Sequence, residues 1–350
     1  MKITRKDIAD AASVSVSTVG MILSGQGDRY SEATREKVHA TAKNLGYEPS
    51  INARALRLNR SLLLGVLLCD ANTHLAARFL QGVQTAIAHS DYSPLVFFTK
   101  GQDDQSLCLK NCMSRHVDAM IVNCTVSPIS GVSRAFQQTV AGLTIPIVEV
   151  YGDFIPAVPK VNTDNVHASR RVAEQLIELG HRRIALLTHA RYREMSLYFD
   201  AWEQATGYTE ALNSADLKPR IVTTDPSSHE NPATSFIDAG HQALGEMVDD
   251  DDPPTAIICY NDFIAYGANR ASKDRGIRIP NELSIVGRGG TEISDIADPP
   301  LTTTRPRHFE IGQTAASMLL KAIDGAAIKN SLVAPDLVEG HSTTTAPGGI

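Results

Sequence analysis

Two periodicities divide the chain. Up to Gly46, apolar positions recur at helical spacing in short blocks: Ile8, Ala9 and Ala12, then Val19, Ile22 and Leu23, then Val38, Ala42 and Leu45. Thr4 followed by Asp7 has the form of a helix N-cap box, which predicts a helix from near Arg5. Ser13-Val14 interrupts it, and Ser15 is placed to cap a second helix running to about Leu23. That helix keeps Val16, Ser17, Gly20 and Met21 on its outside, and Gly25-x-Gly27 ends it. Ser31 and Glu32 open a third helix, closed by Gly46 as its left-handed C′ residue.

From Leu62 onward short apolar runs alternate with amphipathic stretches. Strands are predicted at Leu62–Cys69, Leu95–Phe98, Ala119–Cys124, Ile145–Val150, Ile184–Leu187, Ile221–Thr223, Ala256–Tyr260 and Ser284–Val286. Helices are predicted at 75–89, 103–115, 166–179, 232–248 and 262–275. In the third of these, Asp164 or Asn165 caps, Val172, Leu176 and Leu179 form the buried stripe, and Gly180 ends it. Such alternation implies parallel sheets covered by helices. The segment is long for one sheet, so two α/β subdomains with a cleft between them are expected. Open sheets of this kind bind ligands at the carboxyl ends of their strands.

Composition narrows the function. The 350 residues are 43% hydrophobic and 21% charged, as in ordinary globular chains. The net charge of −6 is unevenly spread: residues 1–60 hold ten Lys or Arg against six acids, a balance of +4, leaving −10 for the rest. A basic head on an acidic body suits a polyanionic partner for the head alone. The longest apolar run, Leu62–Cys69, is far short of the ~20 residues that span a bilayer, so no membrane partner is expected. The N-terminus runs directly into charged helical sequence with no signal-peptide core, so a cytoplasmic protein is expected.

Cysteines at 69, 108, 112, 124 and 259 are odd in number and scattered, which reads as thiols in a reducing compartment. No C-x-x-C and no helically spaced His pair occurs, so neither a metal nor another cofactor is expected. The chain has no G-x-S-x-G elbow, Walker loop or dinucleotide fingerprint in context, so an enzyme is not expected. The run Asp249–Asp252 lacks calcium-loop spacing and reads as a solvated loop.

Three short helices with a tight turn between the first two fit a helix-turn-helix reader, but equally any small three-helix bundle. The residues themselves decide. I3-T-R-K-D-I-A-D-A-A-S-V-S-V-S-T-V-G-M-I-L-S-G, S31-E-A-T-R-E-K-V and L45-G-Y-E-P resemble the N-terminal domain of the LacI/GalR family of bacterial regulators. Pro49-Ser-Ile-Asn-Ala-Arg-Ala-Leu-Arg-Leu is similar to that family's hinge, which folds on DNA and enters the minor groove. The resemblance implies DNA contacts from Thr4, Ser15, Val16, Ser17, Thr18 and Met21 in the head, and from Asn52, Ala53 and Leu56 in the hinge. Leu56 matches the family's wedge leucine, an apolar side chain that unstacks a base step and widens the groove. Ser13 stands where the family usually has Gly, and Gly20 replaces a mid-helix Ser at a cost of about 1 kcal/mol in helix stability. Met21 replaces a long base-reading side chain and cannot make a bidentate guanine contact.

Downstream, V161-N-T-D-N, L179-G-H-R-R-I-A-L-L, A256-I-I-C-Y-N-D, I279-P-N-E-L-S-I-V-G and D298-P-P-L-T-T-T resemble landmarks of the same family's effector core. The implied fold is an all-α helix-turn-helix domain plus an α/β core of two Rossmann-like subdomains, periplasmic-binding-protein-like of type I. Boundaries are placed at 1–48 for the reader, 49–60 for the hinge and 61–345 for the core. Within the core, 61–163 with 295–325 is expected to form one subdomain, and 164–294 with 326–345 the other.

Strand-end positions and the resemblance nominate Thr73, Leu75, Tyr151, Asp164, Tyr198, Asn261, Asp262 and Arg288 for the effector. Asp164 and Asp262 serve equally well as helix N-caps, and Tyr151 and Tyr198 as packing residues. Sugar-binding members usually carry an Arg near the position of Tyr198 and an Asp after the V-G of the late strand. Here the strand reads Val286-Gly287-Arg288-Gly289-Gly290. Arg288 thus suggests an acidic effector, a sugar acid or sugar phosphate, beside the plain sugar that the family implies. The expected partners are a double-stranded DNA operator, that small molecule and a second copy of the chain as a homodimer. The function expected is a ligand-responsive transcription regulator, most simply a repressor of carbohydrate or sugar-acid genes. An activator and a sugar-binding module without a regulatory role are the alternatives.

Overall fold

The structure is a computed structural model that describes residues 3–47, 54, 55, 58–69, 74–99, 102–123, 134–194, 199–226 and 232–348. They form two compact units that divide between Ser61 and Leu62. The hinge residues Asn52, Ala53 and Leu56, and the effector candidates Thr73 and Tyr198, lie outside the described residues, as does the side chain of Leu75.

The first unit holds α1 (Arg5–Ala12), α2 (Val16–Leu23) and α3 (Glu32–Asn44). Thr4 and Asp7 close the capping box of α1, and Ser15 caps α2 by accepting from the Thr18 N–H at 3.0 Å. Ser13 turns the chain between them with φ of 55°, the left-handed region that glycine enters at least cost. Ile8, Ala9, Ala12, Val19, Ile22, Val38 and Ala42 make the core. Leu45, expected in the stripe of α3, is instead the exposed C-cap residue. The helix ends at Asn44, so the i+7 position falls where the backbone already turns toward Gly46.

The second unit contains two sheets with the same strand plan. The first comprises β1 (Leu63–Cys69), β2 (Ser93–Thr99), β3 (Ala119–Asn123), β4 (Ile147–Val150), β5 (Lys160–Thr163) and β11 (Ser331–Val333), in the order β11-β5-β4-β3-β1-β2. The second comprises β6 (Ile184–His189), β7 (Arg220–Thr224), β8 (Ala256–Cys259), β9 (Ser284–Arg288), β10 (Thr302–Arg305) and β12 (Asp336–Val338), in the order β12-β10-β9-β8-β6-β7. The pairings are parallel except β10 with β12. Central strands such as β8, apolar throughout and buried throughout, are what parallel sheets covered on both faces require.

Helices α4 (His74–Ile87) and α12 (His308–Ile323) pack together against the first sheet. α5 (Gln102–Ser114) and α6 (Arg134–Ala141) supply its other core. On the second sheet, α7 (Asn165–Glu178) packs with α8 (Phe199–Ser214), and α9 (Pro232–Val248) with α10 (Asp262–Asp274). The short α11 (Glu292–Ile296) follows β9. Glycine sets the closest crossings. A Cβ at Gly82 would lie 1.9 Å from the Phe309 carbonyl oxygen, and one at Gly267 would lie 1.9 Å from that of Ile237.

The subdomain boundaries differ from expectation. Thr302–Thr304 pair with β9, so residues 295–305 belong with the second sheet rather than the first. Ser331–Val333 pair with β5, so the chain returns to the first sheet before ending in the second. The crossings therefore fall after Thr163, after Arg305 and after Val333. β10 escaped notice because it reads Thr-Thr-Thr-Arg, with no apolar run. Its hydroxyls are instead satisfied inside, Thr303 donating to Asp262 at 2.6 Å and Thr302 pairing with Thr343 at 3.0 Å. Arg307 and Asp336, each just past a crossing, are ion-paired.

Candidate functional site

In the first unit, the N-terminal end of α2 is the polar surface that a groove-reading helix would use. Val16 is 47% exposed and Ser17 is exposed, whereas Val19 and Ile22 are buried. The Thr18 hydroxyl lies 2.8 Å from the Ser15 hydroxyl, which leaves Val16 and Ser17 as the outward side chains of the first turn. Thr4 donates its hydroxyl to Asp7 at 2.7 Å and is exposed at the start of α1. Met21 is half-buried. Among the described residues only the Arg5 guanidinium lies near Gly20, 3.6 Å from the position of a Cβ, which leaves room there for a side chain.

In the second unit, the carboxyl edge of each sheet carries its own chemistry. On the second sheet, Arg288 ends β9. Its Nε donates to the Tyr260 carbonyl at 2.9 Å, its guanidinium lies over the Tyr260 ring at 4.9 Å, and it is ion-paired with Asp200 of α8. Tyr260 donates its hydroxyl to both Asp200 oxygens, at 3.2 and 3.1 Å. Asn165, the first residue of α7, accepts from Arg288 at 3.4 Å and donates to Glu203 at 2.8 Å. Burial opposes the charge on Arg288, but Asp200, Tyr260 and Glu203 more than compensate and hold its pKa above the usual value. Burial pushes the Glu203 carboxyl up to about 7.

This network bears on the expectation that Arg288 meets an acidic effector. The side chain is 15% exposed and its charge is already met by Asp200 inside the same wall, so it is not a free cation awaiting an acidic ligand. Asp262 is likewise engaged within the fold. It is fully buried and accepts from Thr303, from the Thr291 backbone N–H at 2.8 Å and from the Thr291 hydroxyl at 2.9 Å. It ties the loop after β9 to β10, and a Cβ at Gly287 would strike its Oδ1 at 2.3 Å. Asn261 caps α10, accepting from Ile264 at 2.9 Å, and Asp164 caps α7, accepting from His167 at 3.2 Å. Both remain half-buried at the same edge.

On the first sheet, Tyr151 follows β4 with φ of 60° and shares a 2.7 Å hydrogen bond with His308 Nδ1 at the start of α12. His308 Nε2 is buried without a partner among the described residues, and burial pushes the ring down to about 4, so it is neutral near pH 7. Sequence reasoning nominated Tyr151, Asp164, Asn261 and Arg288 but missed Asn165, Asp200, Glu203, Tyr260 and His308. Signals existed for three of them: Asn165 and Tyr260 lie inside the motifs V161-N-T-D-N and A256-I-I-C-Y-N-D, and Asp200 is an acid two residues past Tyr198. His308 had none, because it depends on β10 and the second crossing. A groove of about 880 Å³ lies elsewhere, between α8 and β7, lined by Trp202, Thr206, Thr209, Tyr192 and Ile221. None of these wall residues lines it.

Residues 4–50 match the bacterial regulatory proteins of the lacI family, and residues 173–343 match the periplasmic binding protein-like domain. The chain is 28% identical over 349 residues to the HTH-type transcriptional repressor CytR of Escherichia coli strain K12, covering 98% of this chain and 97% of the relative. It is 29% identical over 326 residues to the ribose operon repressor of Haemophilus influenzae, covering 91% and 92%. Among solved structures, the lac repressor dimer bound to operator and the anti-inducer ONPF superposes with a TM-score of 0.77 at 25% identity, over 98% of this chain and all of that one. Relatives that span nearly the whole chain and are named as repressors, together with a matching fold of both units, place the molecule: it belongs to the LacI/GalR family of bacterial transcription regulators.

Proposed function

We propose that this chain is a cytoplasmic, homodimeric repressor whose two heads bind a near-palindromic operator and whose core releases or tightens that grip when a sugar enters the cleft. The observation that carries the reading is the first turn of α2, where Val16 and Ser17 stand exposed on a helix whose opposite face is the core of the unit. With Met21 in place of a long polar side chain, readout rests on Val16, Ser17 and Thr18, including apolar contact with thymine methyl groups. Leu56, Asn52 and Ala53 act at the centre of the site, where Leu56 reads deformability. Because Asp200 already neutralises Arg288, an uncharged sugar suits this wall better than a sugar acid or phosphate.

Selection of bound sequences from a random DNA library, followed by fluorescence anisotropy on the winner, tests the DNA half. A two-half-site consensus is expected, weakened by Ser17→Ala at particular bases and by Leu56→Ala across the whole site. Failure to enrich any sequence would overturn it. For the effector half, matched sugars, their acids and their phosphates are titrated into the protein–operator complex. Release by an acid but not by its parent sugar, lost in Arg288→Ala, would restore the acidic reading.

A further inference from the structure

The loop between β4 and β5 reaches from the first subdomain to the second, and two buried side chains hold it in place. Glu149, on β4 and fully buried, accepts the backbone N–H of Phe154 at 2.8 Å and that of Ile155 at 3.1 Å. Asn162, on β5, accepts from the Gly152 N–H at 3.0 Å and returns a bond to its carbonyl at 2.9 Å. The loop folds so closely that a Cβ at Gly152 would stand 2.3 Å from the Phe154 ring. Phe154, thus fixed, meets Phe199 edge-on at 6.3 Å, and Phe199 stacks on Trp202 at 6.3 Å. Phe199 begins α8, which also carries Asp200 and Glu203 of the second wall, so one aromatic ladder links the two subdomains.

A fully buried carboxylate in a sheet is costly unless it accepts several hydrogen bonds, and this one spends both oxygens on one loop. We propose that Glu149 is a positioning residue whose carboxylate seats Phe154 against Phe199 and thereby latches the two subdomains together. Among the described residues, few charged groups act on it. Lys160 on β5 and Asp153 in the loop act on it and are paired with each other at 2.5 Å. On the same face α5 brings the buried thiols Cys108 and Cys112, and α6 brings Phe136 and Val140, to the core that Phe154 joins. Burial pushes the Glu149 carboxyl up to about 7, against the downward pull of the two backbone N–H groups and Lys160. Protonation turns one acceptor oxygen into a donor facing a backbone N–H, and that strap is lost. The latch therefore loosens as pH falls through neutrality.

Trp202 is the single tryptophan of the chain, so its emission reads the ladder directly. The full-length protein, free of DNA and ligand, is titrated from mildly alkaline to mildly acid pH while Trp202 emission and acrylamide quenching are followed. Expected is a red shift and stronger quenching with a midpoint near 7, absent in Glu149→Gln and in Phe154→Leu, both of which start from the loosened signal. Glu203 neighbours Trp202 and is also pushed up to about 7, so Glu203→Gln is the control and should retain the transition. A transition that survives Glu149→Gln and vanishes in Glu203→Gln overturns the latch, as does a Phe154→Leu protein with unaltered emission and quenching. If Glu149→Gln does not fold, Phe154→Leu still decides, because it fills the core while removing the ring contact. The assay uses neither operator nor effector, so its outcome is independent of the proposed function.

Discussion

The two subdomains of the core share a strand plan and differ in the chemistry they present. Each has five parallel strands in the same order and a late sixth strand supplied after a crossing. Each has a helix pair brought to backbone contact by glycine, Gly82 with Gly312 in the first and Gly240 with Gly267 in the second. At the carboxyl edge they part. The second wall is a charged network in which Arg288, Asp200, Tyr260, Asn165 and Glu203 satisfy one another. In the first wall, Tyr151 meets a His308 that burial keeps uncharged. A parallel sheet fixes where its strand ends point, but not what they carry, so the same scaffold can present an ion-paired cluster at one edge and an uncharged Tyr–His pair at the other.

The largest effects should fall on what the subdomains share. Gly82→Val and Gly267→Val each place a branched side chain where a carbonyl oxygen lies 1.9 Å from the Cβ position. Each is expected to cost about 3 kcal/mol, by forcing packed helices apart. Urea unfolding would show it, and a large cost at only one site would break the likeness. Next, Asp200→Ala leaves Arg288 charged and poorly solvated. A fully buried pair broken this way loses about 3–5 kcal/mol, and the 35% exposure of Asp200 reduces that to about 2 kcal/mol.

The walls should also respond oppositely to pH. The Glu203 carboxyl sits at about 7 in the fold, above its ordinary 4.5, so the folded state holds more protons between those values. Its contribution to stability is present at low pH and is lost as pH rises through that window. Glu203→Gln, keeping the bond from Asn165, should therefore raise stability by about 1–2 kcal/mol near pH 8 and change little near pH 4.5. His308 has the opposite sign. Its ring sits at about 4, below its ordinary 6.5, so the folded state holds fewer protons between them and stability drops as pH falls through that range. His308→Phe should flatten this acid limb. At neutral pH the substitution also removes the 2.7 Å bond between Nδ1 and the Tyr151 hydroxyl, at a cost of about 1 kcal/mol, the smallest effect of the four. A large loss at neutral pH would mean that the first wall is as tightly built as the second.

Much of this molecule is legible in its residues because the relevant signals are local. Thr4, Asp7, Ser15, Ser31 and Gly46 mark helix ends by hydrogen bonds that span three or four residues, and each sits in the role its type predicts. Apolar runs such as Ala256–Cys259 declare buried parallel strands by composition alone. The thiols at Cys108, Cys112 and Cys259 are buried, as their scatter among apolar neighbours suggests. The α/β alternation and the division into head and core follow from the same periodicities.

Tertiary structure decided what depends on partners far apart in the chain. Thr302–Arg305 is a strand because Asp262 and Thr343, about forty residues away on either side, satisfy its hydroxyls, and no local pattern records that. Arg288 reads in sequence as a cation free for an anion. Its charge is answered by Asp200, 88 residues distant, which only the meeting of β9 with α8 could bring about. Glu149 reads as a polar interruption in an apolar strand and proves to be the strap of a loop. Helical and strand periodicity determined the elements and the class of protein. The pairing of charges and the choice of sheet for each late strand were set by burial and hydrogen-bond satisfaction, which act through space and not along the chain.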